Sequence, residues 1–143
     1  MNTVEDVLAH KGREVWTIDP DALVIDAIAE MAARGVGALV VVEGALVIGL
    51  ISEREYARRV ALAGRSSRDT RVRDIMLTEL PHVGTDTGIG ECMALMTEHR
   101  VRHLPVMAGA ELVGLISIGD LVAAVIADQR ETIARLERHI ADQ

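Results

Sequence analysis

The sequence has no phenylalanine, and only one tryptophan and one tyrosine among its 143 residues. Its apolar half is drawn from Val, Ile, Leu, Ala and Met. Such a composition suits short buried strands and alanine-rich helices, and it leaves few flat rings on which single-stranded bases could stack. Cys92 stands alone. An internal disulfide is therefore excluded, and the residue reads as a small packing hydrophobe rather than a nucleophile. Positive charge is short as well: 15 Lys and Arg face 22 Asp and Glu, a net charge of −7. That balance argues against nucleic acid or an anionic membrane as a partner, since both need a basic footprint. The N-terminal stretch lacks the apolar core of a signal peptide. The longest apolar run, 36–51, is broken by Glu43 and Gly44, and it reads as two strands and a turn rather than a membrane span. A soluble, cytoplasmic protein is the default expectation, with enough apolar residues for one or two small cores.

What the sequence does contain is a repeat. Gly49-Leu50-Ile51-Ser52 returns 65 positions later as Gly114-Leu115-Ile116-Ser117. Sliding the chain by 65 aligns 15–60 with 80–125 without a gap, and 13 of those 46 positions are identical. A slide of 68 aligns the leaders, Val4-Glu5-Asp6-Val7-Leu8 with Val72-Arg73-Asp74-Ile75-Met76. A repeat of this period means two copies of one supersecondary unit. Each copy predicts a short strand (15–18; 82–84), a turn, and a helix (24–34; 89–100). A strand follows (38–42; 104–107), then a Gly-Ala turn, a second strand (46–51; 112–116) and a closing helix from Glu53 or Ile118. The order is β-α-β-β-α, twice. Between and after the copies lie an arginine-rich segment, with seven arginines from Arg54 to Arg73, and a C-terminal helix. The arginines read first as a solvated face, or as phosphate contacts. Ile126, Ile133, Leu136 and Ile140 of the C-terminal helix form one seam, which packs back on the module or pairs with a second chain.

The ends of the two hairpins carry the chemistry. Ser117 sits where a strand gives way to a helix, with Asp120 in the first helical turn. A serine there caps free N–H groups, and a carboxylate beside the helix dipole can grip both hydroxyls of a ribose. The plainer reading is a capping box alone. Ser52 and Glu55 repeat the pattern with a glutamate, the commoner capping partner. No nucleophile–base set is apparent. Gly84, Gly88 and Gly90 lack the strand–GxGxxG–helix context of a dinucleotide fold. His99 and His103 lack a third metal ligand.

The repeat, its element order and its Gly-x-x-Ser-x-x-acid endings resemble a tandem pair of CBS domains of the stand-alone bacterial kind, over residues 4–126. The resemblance implies an α+β fold. Two repeats, 1–66 and 67–127 with their leaders, pack as a pseudo-twofold module with two clefts, followed by a helical extension at 128–143. It implies an adenosine ligand (AMP, ADP, ATP, NAD or S-adenosylmethionine), no metal, a homodimer, and a regulatory role toward an effector protein rather than catalysis. A structural dimerisation module with degenerate clefts is the alternative. The first cleft would hold a ribose on Ser117 and Asp120, with Thr17, Ile18, Asp19, Gly37, Ala38 and Leu39 around the adenine. The second would use Ser52, Arg54 and Glu55, framed by Val83, Thr85, Arg102, His103 and Leu104, with Arg102 and His103 as phosphate donors. The glutamate makes the second cleft the weaker expectation.

Overall fold

The computed structural model describes residues 2–142. Met1 and Gln143, which the sequence reading assigned to the first repeat and to the C-terminal helix, lie outside the described residues. In chain order the elements are α1 (Val4–Lys11), β1 (Thr17–Ile18), α2 (Val24–Arg34), β2 (Ala38–Glu43), β3 (Leu46–Ser52) and α3 (Glu53–Tyr56). They continue with α4 (Ile89–His99), β4 (His103–Ala108), β5 (Glu111–Ser117) and α5 (Ile118–Ala141). The α3 helix widens into a π-turn at Ala57–Ala61, and a 3-10 turn spans Val72–Asp74. The fold is α+β.

The two repeats build matching halves. In each, an antiparallel hairpin turns at a glycine with φ +62°, Gly44 or Gly109. Both hairpins carry a register shift at the same repeat position, between Val41 and Val42 and between Val106 and Met107. The helices bury one stripe each: Val24, Ala27 and Met31 in α2, and Ile89, Cys92 and Met96 in α4. Cys92 is fully buried, and burial pushes its thiol up to about 11, as a packing residue requires.

The repeats differ at their first strand. In the first, β1 runs parallel to β2, and the Val40 N–H donates to the Trp16 carbonyl at 3.1 Å. The strand expected at 82–84 shrinks to a single bridge, Val83 to Val106. The counterpart of Val40 is Pro105, which has no N–H to donate, so this rung of the parallel ladder is missing.

The leaders are exchanged. Val4, Val7 and Leu8 of α1 pack into the core of the second repeat, with Val83, Cys92, Leu104 and Ile116. Val72 and Ile75 pack into the core of the first, with Val24, Leu39 and Ile51. Main-chain hydrogen bonds fix both exchanges: Val4 N to Thr87 O at 2.9 Å, and a reciprocal pair between Leu50 and Leu77 at 3.0 and 2.9 Å. The repeated glycines make room for these crossings. A Cβ on Gly49 would stand 2.6 Å from the Leu77 carbonyl, and one on Gly114 would stand 2.8 Å from Leu8 Cδ2. Each half is completed by chain from the other, so the two halves cannot separate without opening both cores.

The C-terminal seam does not pack back. Ile126, Ile133, Leu136 and Ile140 are 43–69 % exposed on a single 24-residue helix. Among the described residues no helix is long and apolar enough to cross a membrane.

Candidate functional site

Each hairpin ends at a helix N-terminus, and both ends are capping boxes. Ser117 Oγ accepts from the Asp120 N–H at 3.1 Å, while Asp120 Oδ2 accepts from the Ser117 N–H at 2.8 Å. In the first repeat, Ser52 Oγ accepts from the Arg54 N–H at 3.2 Å. Glu55 Oε1 accepts from both the backbone N–H, at 3.0 Å, and the hydroxyl of Ser52. Glu55 is 5 % exposed and Ser52 6 %. The buried glutamate is thus committed to its own helix start.

The exchange of leaders sets these two helix starts against the opposite repeat and opens two cavities between them. The larger, of about 450 Å³, has Ser52, Arg54 and Glu55 on one wall and Arg102 and His103 on the other. Its volume lies within the usual range for a small-molecule site, roughly 300–1,000 Å³. The smaller, of about 200 Å³, is lined by Ser117, Gly37, Ala38, Trp16, Lys11 and His103. His103, the first residue of β4, pairs with Ser117 in the ladder and borders both cavities.

The smaller cavity is guarded. Lys11, the last residue of α1, donates to Asp120 Oδ2 at 2.7 Å and to the Leu115 carbonyl at 2.8 Å. Burial would raise the Asp120 carboxyl, but the Lys11 ammonium and the Ser117 backbone N–H hold it below the usual carboxylate range. Burial pushes His103 down, as do Lys11 and Arg102, against an upward pull from Asp120. The imidazole is therefore harder to protonate than a free one.

The remaining residues named from the sequence, Asp120 among them, stand back from the cavity walls. The side chains of Leu39 and Leu104 are fully buried in the two cores, because strand alternation turns them away from the faces of Ala38 and His103. Val83 belongs to the core of the second repeat. Thr17 and Ile18 form β1, Asp19 Oδ1 accepts from the Asp21 N–H at 2.8 Å, and the Thr85 carbonyl accepts from the Glu5 N–H at 2.8 Å. His99 ends α4, apart from His103 on β4.

Sequence reasoning missed residues on the larger cavity. Arg100 caps α4 in the left-handed conformation, φ 54° and ψ 43°, and lines the cleft beside Arg102. Arg58 and Arg59 reach it from the π-turn. The Arg54 guanidinium spans the gap between repeats to the Arg100 carbonyl at 3.0 Å. The cluster of arginines in the sequence was the available signal, and a solvated face was the favoured reading of it.

Comparison with known proteins agrees with this architecture. The CBS domain profile matches residues 4–62 and 72–127. The chain is 40% identical over 148 residues to the mitochondrial CBS domain-containing protein CBSX3 of Arabidopsis thaliana, covering 96% of this chain and 71% of that one. It is 30% identical to the CBS domain-containing protein YhcV of Bacillus subtilis, over 90% of this chain and 89% of the other. Among solved structures, a protein with CBS domains from Burkholderia ambifaria superposes with a TM-score of 0.85 at 52% identity, covering 89% of this chain and 96% of that one. Two matched repeats, exchanged leaders and paired clefts leave one assignment: the chain is a tandem CBS-domain pair and belongs to the CBS-domain family.

Proposed function

We propose that the chain is a regulatory module that binds an adenosine nucleotide (AMP, ADP, ATP or NAD) in the cleft between its repeats and signals occupancy to a partner protein. The observation that carries this reading is the larger cavity. A helix start from one repeat and a hairpin start from the other face each other there, with guanidinium groups on both walls. A ligand in such a place touches both halves, so its affinity depends on how they sit. It can shift their arrangement by no more than its differential affinity for the two states.

The cleft with Glu55 is the working site in this reading, which reverses the ranking drawn from the sequence. Glu55 and Ser52 shape the helix start, and the arginines supply charge-assisted hydrogen bonds to phosphate. Each serine hydroxyl is engaged in its cap, which fits a binding role better than a nucleophilic one. The signal passes through a homodimer. Val122, Ile126, Ile133, Leu136 and Ile140 recur at spacings of four, seven, three and four along α5. Isoleucine and leucine in those places suit a two-stranded helical pair.

Thermal unfolding with AMP, ADP, ATP, NAD and S-adenosylmethionine tests the reading. A ligand at 100 times its Kd stabilises by about 2.7 kcal/mol, which is several degrees for a chain of this size. A specific observation favours a second reading, a dimerisation module with degenerate clefts: both acids are already occupied by caps, and Asp120 by Lys11 as well. No shift with any of the five compounds establishes that reading instead.

A further inference from the structure

The larger cleft gathers five arginines: Arg54, Arg58, Arg59, Arg100 and Arg102. Elsewhere on the repeats, Lys11, Arg13, Arg34, Arg65 and Arg73 each have a carboxylate partner, and Arg68 and Arg71 are the two exceptions among the described residues. Among the described residues none of the five cleft arginines has one. Two carboxylates share the wall, Glu53 and Glu55, and Glu55 is taken up by Ser52. The lining of this cavity thus sets five guanidinium groups against two carboxylates, an excess of positive charge in an acidic chain.

The repeat supplies an internal control. Sixty-five residues away, the counterparts of Arg54, Arg58 and Arg59 are Gly119, Ala123 and Ala124, and those of Arg100 and Arg102 are Gly35 and Gly37. All five cleft arginines therefore correspond to glycine or alanine in the other half. At one of them the substitution runs against backbone preference. Gly35 and Arg100 both cap their helices in the left-handed region, at φ 66° and φ 54°, where glycine fits freely and arginine does not. Arg100 is the one non-glycine residue with positive φ among those described. A solvated face needs no such placement, and a site for a multiply charged anion does.

We infer that this cleft selects a chain of phosphates, taking a nucleoside di- or triphosphate in preference to the monophosphate, with Arg58, Arg59 and Arg100 as the residues that meet the added phosphates. The inference rests on the nucleotide reading above. A single phosphate carries at most about two negative charges, fewer than the unpaired guanidinium groups present. Each further phosphate offers oxygens to another arginine fork.

Calorimetric titration of the whole chain with AMP, ADP, ATP and inorganic tripolyphosphate tests this. The variants are Arg100→Gly, which restores the residue of the other repeat and relieves the backbone, and Arg58→Ala. ATP is expected to bind at least about tenfold more tightly than AMP, the ratio that one extra charge-assisted hydrogen bond supplies. Combining the two substitutions is expected to weaken ATP more than AMP and so bring that ratio to within about threefold. Equal binding of AMP and ATP by the wild type overturns the inference and leaves the nucleotide reading intact, as does a double variant that weakens both alike. Binding of tripolyphosphate without any of the three nucleotides upholds the anion selection and overturns the nucleoside. Binding of none of the four overturns both.

Discussion

Lys11 and Asp120, 109 residues apart in sequence, meet at 2.7 Å across the boundary between α1 and α5. The ammonium rests on the carboxylate oxygen that also takes the Ser117 N–H. The acid best placed by sequence to grip a ribose is thereby engaged twice. The two clefts, related by the repeat, are chemically unlike: the smaller has on its wall Lys11, which is paired to Asp120 behind it, and the larger is rich in arginine.

Removing the lysine is expected to restore the smaller cleft. Lys11→Met should change stability by no more than about 1 kcal/mol, because the pair is partly exposed and screened. It should raise nucleotide stoichiometry in calorimetry from one per chain toward two. A stoichiometry still at one shows that Lys11 is not what keeps that cleft empty.

Two groups near this pair make stability depend on pH. The folded-state pKa of His103 lies below its ordinary 6.5, so the unfolded chain takes up that proton first on acidification. The contribution is complete above about pH 6.5 and is lost as pH falls from there through the folded value. Asp120 is held below its ordinary 3.8, so its contribution is present above that value and is lost only at still lower pH. Urea midpoints are therefore expected to fall as the pH drops below about 6.5 in the wild type, and His103→Gln should remove that slope. A wild-type profile that is flat below that pH contradicts the assignment.

The repeated glycines differ in what crowds them. At Gly49 an added methyl meets the Leu77 carbonyl, a backbone atom that cannot move without breaking the Leu50–Leu77 bonds. At Gly114 it meets the end of the Leu8 side chain. Both Gly→Ala variants should be destabilised, in the range of about 1–3 kcal/mol typical of overpacking. Chemical denaturation should rank Gly49→Ala as the worse, and the reverse order would show that α1 yields less readily than the 72–77 leader.

In the proposed homodimer the seam on α5 is the interface. Leu136→Glu places a charge on the exposed apolar stripe, far from both cavities, and is expected to convert the dimer to a monomer in light scattering. The thermal midpoint at high dilution should change little, because Leu136 is 57 % exposed within the chain. A dimer that survives the substitution places the interface elsewhere.

Much of this architecture was legible because the sequence states it twice. The 65-residue period located both hairpins, and the Ser-x-x-acid endings located both helix starts, to within a residue or two of the observed bounds. Three features were not legible, each for a physical reason. The leaders exchange because Leu8 and Leu77 fit against Gly114 and Gly49 of particular strands, a matter of three-dimensional packing that no local pattern records. The strand at 82–84 fails through a missing N–H on Pro105, more than twenty residues downstream. Arg100 looked like the last residue of a helix, and its left-handed cap, which sets it beside Arg102 on the cleft, emerges only from the backbone. Leu39 and Leu104 show the converse limit. They lie next to cleft residues in sequence, and alternation along a strand places them in the core.

The central claim is that a nucleotide binds between the repeats on the side of Ser52 and Arg102. Thermal unfolding of the wild type, Arg102→Ala and Asp120→Ala, each with and without saturating ATP, tests it most directly. The account predicts a rise of several degrees in the wild type that persists in Asp120→Ala and is lost in Arg102→Ala. A rise that persists in Arg102→Ala and disappears in Asp120→Ala would contradict it, and would return the site to the smaller cleft.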